Sequence, residues 1–169
     1  MRKQSVEAIV RALNAADVRF LIAGGLAVVA HGYLRFTADM DLVLDFDDDN
    51  VRRAVAALSA LGYQPRAPVP IEEFADASRR AAWVREKGLT VFSLHSSQHP
   101  ATEVDLFVEP PFPDFSAAYR SALRLELGPD VVATFVSFDD LIAMKQNAGR
   151  AQDLEDVDRL RTIPEQRKP

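Results

Sequence analysis

Residues 22–46 read IAGGLAVVAHGYLRFTADMDLVLDF. An apolar run ends in Gly24-Gly25, an alanine-rich stretch follows, and Asp39 and Asp41 stand one residue apart at the head of a second apolar run. Side chains alternate along a strand, so Asp39 and Asp41 share one face while Met40 and Leu42 take the other. Two like charges on one face repel. A fold tolerates them most easily where a cation sits between them. Two glycines let a backbone turn tightly and approach a ligand closely, and the free amides opening the next helix attract phosphate.

Working outward, the stretch E-V-D-L-F at 103–107 puts Asp105 on one face of a third strand, with Glu103 beside it. If this strand neighbours the one carrying Asp39 and Asp41, three carboxylates meet near one point. Without a counter-ion, such a cluster keeps at least one carboxyl protonated. With Mg²⁺ it becomes a hard, oxygen-ligand site. Glycine turn, helix start and D-x-D on the next strand together suit a nucleoside triphosphate held between backbone amides and metal-bound carboxylates. In such a transfer the protein's work is mostly positioning and electrostatics.

The rest of the chain reads as alternating helices and strands. Val6, Ile9, Val10 and Leu13 recur at helical spacing over residues 2–15. Residues 18–23 read as a buried strand, 26–33 as a short helix and 39–46 as a second strand. Asp47, Asp48, Asp49 and Asn50 supply capping chemistry for a helix over 51–61. Gln64 to Pro70 holds three of the ten prolines and reads as a loop. Residues 71–87 read as helical, 89–94 and 103–108 as paired strands, 115–125 as a helix and 131–136 as a final short strand. Two closing helices, 138–148 and 152–160, flank Gly149, and the tail TIPEQRKP reads as frayed. The expected architecture is α/β (α+β): a mixed sheet flanked by helices, one domain over 1–169, with a core over about 1–136 and a short C-terminal helical part over about 138–162.

Composition bounds the function. The 169 residues carry 48% hydrophobic and 27% charged side chains, a net charge of −5 and no cysteine. Disulfides and thiolate metal sites are therefore excluded, and the acidic balance argues against a general nucleic-acid binder. A local basic patch from Arg35, Arg120, Arg124, Lys145, Arg150, Arg159 and Arg161 stays compatible with it. The opening residues lack the uninterrupted apolar core of a signal peptide. No apolar run approaches the ~20 residues that span a bilayer. The expectation is a cytoplasmic protein with no membrane partner.

The pattern G-G-x-A-x-x-x-H-G-x-x-R-x-T-x-D-x-D, Gly24 to Asp41, resembles the nucleotidyltransferase superfamily of DNA polymerase β type. Within it, together with D-D-L-I-A-M-K-Q-N-A-G-R-A-Q-D-L-E-D-V at 139–157, the chain most resembles minimal bacterial members related to AbiEii-type toxin nucleotidyltransferases. The resemblance implies roles for matching positions. Asp39, Asp41 and Asp105 would be catalytic acids and metal ligands for Mg²⁺, two ions during turnover, with Asp105 helping to activate the acceptor hydroxyl. Gly24 and Gly25 would hold the phosphates of the NTP substrate, and Lys145 would contact the triphosphate. Arg35, Thr37, Arg150 and Asp153 are further candidates on the nucleotide side. Many relatives carry serine where this chain has Gly25.

The implied reaction moves a nucleoside monophosphate from NTP to a hydroxyl of RNA, including tRNA ends, of a protein, or of a small molecule such as an antibiotic. A cognate antitoxin or toxin protein is an implied partner. The alternative is a low-activity or inactive nucleotide-binding or antitoxin-like module, motivated by the missing hydroxyl at Gly25. His31 at a helix end reads as structural, Trp83 as packing, and His95 and His99 as loop residues.

Overall fold

The computed structural model describes residues 1–163. From residue 164 onward, the tail that reads as frayed lies outside the described residues. Helix α1 (Lys3–Ala15) leads through a left-handed Asp17 into β1 (Phe20–Ile22), then α2 (Gly24–Ala30), β2 (Asp39–Leu44) and α3 (Asp48–Ala60). After β3 (Tyr63–Pro65) come a 3-10 turn (Ile71–Ala75), α4 (Ala77–Lys87), and the pair β4 (Val91–Ser96) and β5 (Glu103–Phe107). Helix α5 (Phe115–Ser121), the hairpin β6 (Leu123–Gly128) and β7 (Val131–Phe135), then α6 (Phe138–Ala148) and α7 (Ala151–Thr162) complete the chain.

The strands form one mixed sheet of order β3-β4-β5-β2-β1-β7-β6. β2 runs parallel to β5, and β1 parallel to β7; the other neighbours are antiparallel. Alternation works as the sequence dictates. Met40, Leu42, Val104 and Leu106 are fully buried, while Asp39, Asp41, Glu103 and Asp105 face the other side and stay partly accessible. On the buried side Ile9, Leu13, Val51, Ala54 and Leu58 from α1 and α3 join the same core. Burying a side chain of this kind contributes about 1.5–3 kcal/mol.

Asn50 locks α3 to the sheet. Its side chain donates to the carbonyls of Arg19 (3.0 Å) and Asp45 (2.8 Å) and accepts from the Arg19 amide (2.7 Å). Asp47 caps the helix by accepting from the Asn50 amide. Trp83 stacks on Phe92 in the core, as packing. His31 is buried, with Nε2 2.9 Å from the Val136 carbonyl and its ring edge-on to Phe138.

Four expectations need correction. Gln64 and Pro65, read as the start of a loop, lie with Tyr63 in an edge strand pairing with β4; Pro65 is tolerated there because an edge can spare an amide. The helix from Phe115 stops at Ser121, not Leu125. Beyond it the alternation Leu123-Arg124-Leu125-Glu126-Leu127 is period two, and this stretch pairs with β7. Residues 71–87 are not one helix: Asp76 interrupts them, capping α4 by accepting from the Ser78 and Arg79 amides. Gly24 and Gly25 are not a turn ahead of a helix but its first two residues.

Candidate active site

The sheet register builds the site. β2 and β5 pair with Asp39 opposite Glu103 and Asp41 opposite Asp105. Four carboxylates therefore share one patch of this face, with neighbouring strands about 4.8 Å apart. Burial raises the Asp41 pKa to about 6, reinforced by the charges of Asp105 and Asp39; Lys145 and Arg150 act in the opposite direction. Asp105 is also raised, first by burial and then by Asp39 and Glu103, against a hydrogen bond from Ser93. Glu103 differs: a fork from Arg66 holds it below the usual carboxylate range.

The glycines sit directly against these acids. Gly24 adopts a left-handed φ of +58°, and a Cβ built on it would fall onto the Asp41 carboxylate. At Gly25 a Cβ would stand 2.5 Å from Thr37 Oγ1 and 2.9 Å from Arg35 Nη2. So Gly24 is required by conformation and by space, Gly25 by space alone. The segment before β2 alternates: Leu34 and Phe36 are exposed, while Arg35 and Thr37 turn inward over α2. Thr37 Oγ1 donates to the Asp39 carbonyl at 3.3 Å.

Behind Asp41, α6 and α7 hold a charge network centred on the buried Lys145, Asp153 and Asp156. Lys145 is only 5% exposed, with Nζ 3.0 Å from Asp153 Oδ1 and 2.7 Å from Asp156 Oδ2. Arg150 Nε donates to Asp153 Oδ2 at 2.6 Å. Arg35 Nη2 donates to Asp156 Oδ2 at 3.0 Å, and its Nε stands 2.9 Å from Asp156 Oδ1 as an ion pair. Burial pushes Asp153 up, but hydrogen bonds from Arg150 and Lys145 outweigh it and hold the carboxyl low. Three cations face two carboxylates, leaving an excess positive charge whose field reaches Asp41.

Asp39, Asp41, Asp105, Gly24 and Gly25 thus meet at one place, with Arg35 and Thr37 forming a wall over Gly25. Lys145, Arg150 and Asp153 stand one layer behind, and the Lys145 ammonium is engaged with two aspartates. Of the suggested basic patch, Arg35, Lys145 and Arg150 gather here. Arg124 instead lies over Tyr119 on α5. Asp156, which reads from the sequence as an ion-pair residue of the closing helix and not as a site residue, is fully buried at the network's centre and pairs with Lys145 and Arg35. The sequence reading passed over Ser93, which the pairing of β4 and β5 sets opposite Asp105, and Arg66, which the added pairing of β3 with β4 brings to Glu103.

The chain matches, over residues 4–164, the family described as "Nucleotidyltransferase of unknown function (DUF6036)". It belongs to this nucleotidyltransferase family. Among solved structures it is similar to ANT(2")-Ia in complex with adenylyl-2"-tobramycin, with a TM-score of 0.57 and 16% identity, covering 94% of this chain and 86% of that one. At that identity the likeness establishes the fold. No curated protein matches the chain. No helix among the described residues of this nucleotidyltransferase is long and apolar enough to cross a membrane.

Proposed function

We propose that this nucleotidyltransferase is Mg²⁺-dependent and moves a nucleoside monophosphate from an NTP to a hydroxyl acceptor. The observation that carries the reading is the placement of Asp39, Asp41 and Asp105 on adjacent parallel strands, with Asp41 lying against Gly24. The donor set fits the ion: all hard oxygens, held on two fixed strands, with like charges pressing on Asp41 that a cation would relieve. Among the described residues no three acids or histidines form a ready ligating cluster. When bound, Mg²⁺ neutralises phosphate charge and orients the attacking and leaving oxygens.

The chain's own residues supply the remainder. Asp105, raised by burial, is suited to take the acceptor hydroxyl's proton. As the acceptor oxygen bonds to the α-phosphorus, the bond to the bridging oxygen breaks and pyrophosphate leaves. Gly24 and Gly25 admit phosphate close to the backbone. Thr37 Oγ1 occupies the place where a side chain at position 25 would project. A hydroxyl therefore stands on the phosphate side from another segment, which removes the motive for an inactive module. The Arg35, Lys145, Arg150 and Asp153 network provides positive potential there.

The test is thermal unfolding with each NTP, with and without Mg²⁺, on wild type and Asp39→Asn/Asp41→Asn, followed by transfer of label from the stabilising NTP. A ligand selective for the folded state adds about 2.7 kcal/mol at a hundredfold excess over its Kd. The reading fails if the double variant keeps the Mg²⁺-dependent shift or its transfer rate. A second reading, a small-molecule hydroxyl as acceptor, draws support from the fold shared with ANT(2")-Ia, whose structure holds an adenylylated tobramycin. A toxin–antitoxin role rests on the AbiEii resemblance and predicts a stable complex with a cognate protein.

A further inference from the structure

The sheet ends in two edges that differ. At one end, β3 is three residues long, closes on Pro65 and is followed by Pro68 and Pro70, so it is a poor template for another strand. At the other end, β6 (Leu123–Gly128) is six residues long, without proline or lysine. Beyond its ladder to β7, no hydrogen bond reaches the backbone of residues 123–127 among the described residues. A free edge of this kind pairs readily with a further strand.

The side chains say which strand. Leu123 and Leu125 stand opposite the buried Phe135 and Ala133, on the core face, yet are themselves only half-buried. The apolar layer thus reaches the edge and stops there, partly uncovered. Arg124 and Glu126 take the other face, opposite Thr134 and Val132, and both are exposed. Neither forms an ion pair among the described residues. Arg124 is held in place: Nη2 donates to the Tyr119 carbonyl at 2.9 Å, and the guanidinium lies 5.1 Å from the centre of the Tyr119 ring.

A second β6 laid antiparallel against the first keeps leucine facing the core side only in registers that differ by two residues. Each such register is centred on one residue. Centring on Arg124 or on Glu126 sets like charges opposite each other, which is unfavourable. Centring on Leu125 sets Arg124 of each copy opposite Glu126 of the other, and Leu125 opposite its own counterpart. The bulge between Glu126 and Gly128 lies at the far end of this overlap, so the added twist falls outside its centre.

We propose that β6 is a self-complementary edge through which two copies of this chain pair antiparallel about Leu125, joining their sheets into one, with Arg124–Glu126 pairs on the outer face and the leucine row on the core face. Such a contact is isologous and closes at two copies. β6 lies three strands from β2, about 14 Å away, so pairing leaves the acids free and the inference does not depend on the transfer reading.

Sedimentation velocity on wild type, Arg124→Glu, Glu126→Arg and a 1:1 mixture of the two variants tests it, with thermal unfolding of each to verify the fold. Wild type should pass from monomer to dimer between about 1 μM and 1 mM, the range expected of a small interface. Each variant alone sets like charges opposite twice and should weaken dimerisation at least about tenfold. The mixture should regain the dimer, because every introduced charge then faces its opposite on the other variant. If Arg124→Glu fails to fold, salt decides: added NaCl should weaken the wild-type dimer and strengthen that of Glu126→Arg. Wild type that stays monomeric overturns the proposal. So do folded variants that dimerise as wild type does, a mixture of folded variants that stays monomeric, or a salt response of the same sign in wild type and Glu126→Arg.

Discussion

Replacing Asp41 with asparagine should stabilise the metal-free protein at neutral pH. The folded Asp41 carboxyl is raised from its ordinary 3.8 to about 6, chiefly by burial and then by Asp105 and Asp39. Between these two values the native state holds a proton that the unfolded chain has released. Stability therefore falls as pH rises through this window and stays lower above it. The shift is about 2 units at 1.36 kcal/mol each, so the ionised carboxylate costs about 3 kcal/mol. About 2 kcal/mol of that cost develops between pH 4.5 and 8. Urea unfolding of wild type and Asp41→Asn at both pH values reads it directly. The variant's advantage should grow by about 2 kcal/mol from pH 4.5 to pH 8, and Mg²⁺ should narrow it by favouring the wild-type carboxylate. An advantage that stays flat with pH, or turns into a deficit at pH 8, would refute the account of a strained acid held for a cation.

Gly24→Ala meets two obstacles: a left-handed backbone costing about 1–2 kcal/mol and a methyl falling on the Asp41 carboxylate. Urea unfolding should show that loss or more, and the Mg²⁺–NTP shift should vanish even where the fold survives. Lys145→Met removes the buried cation shared by Asp153 and Asp156; a cost of about 3–5 kcal/mol is expected, measured by the same denaturation. A loss under about 1 kcal/mol would mean that Arg35 and Arg150 suffice to hold both acids. Asn50→Ala strips three bonds from the backbone of Arg19 and Asp45, and should cost about 2 kcal/mol or more without changing the affinity for Mg²⁺–NTP.

The gathering of Asp39, Asp41, Asp105 and the glycine pair was legible because its signals are local. Alternation in DMDLVL and EVDLF places acids and core on opposite faces whatever the strands pair with, and the glycine pair marks close approach. What stayed hidden depends on pairing across sequence distance. Tyr63–Pro65 is too short to show a period, and becomes a strand only because β4 lies beside it. The stretch from Leu123 shows its period of two, but directly follows a helical pattern that masks it. Arg66 reads as one more charge in a proline-rich loop; its proximity to Glu103 follows from two strand registers. The sequence singled out Lys145, yet its burial between two aspartates was not legible, because an amphipathic helix looks alike whether its lysine meets solvent or Asp156.

The charge arrangement along the open face gives the site a direction. Moving from α7 through β2 to β3, the side chains run from a network with one excess positive charge, through a central pair of acids raised by burial and by neighbouring carboxylates, to a carboxylate already satisfied by an exposed arginine. The network's buried member Lys145 acts on Asp41 through a lower effective dielectric than a surface lysine would. The central acids cannot relax by rotating away, because Asp41 lies against Gly24 on one side and Asp105 pairs with Ser93 on the other. On the proposed reading the positive side would draw the triphosphate and the unsatisfied centre would take the cation, while the outer carboxylate is already engaged by Arg66. The order of these groups across four strands is what would separate leaving group from nucleophile.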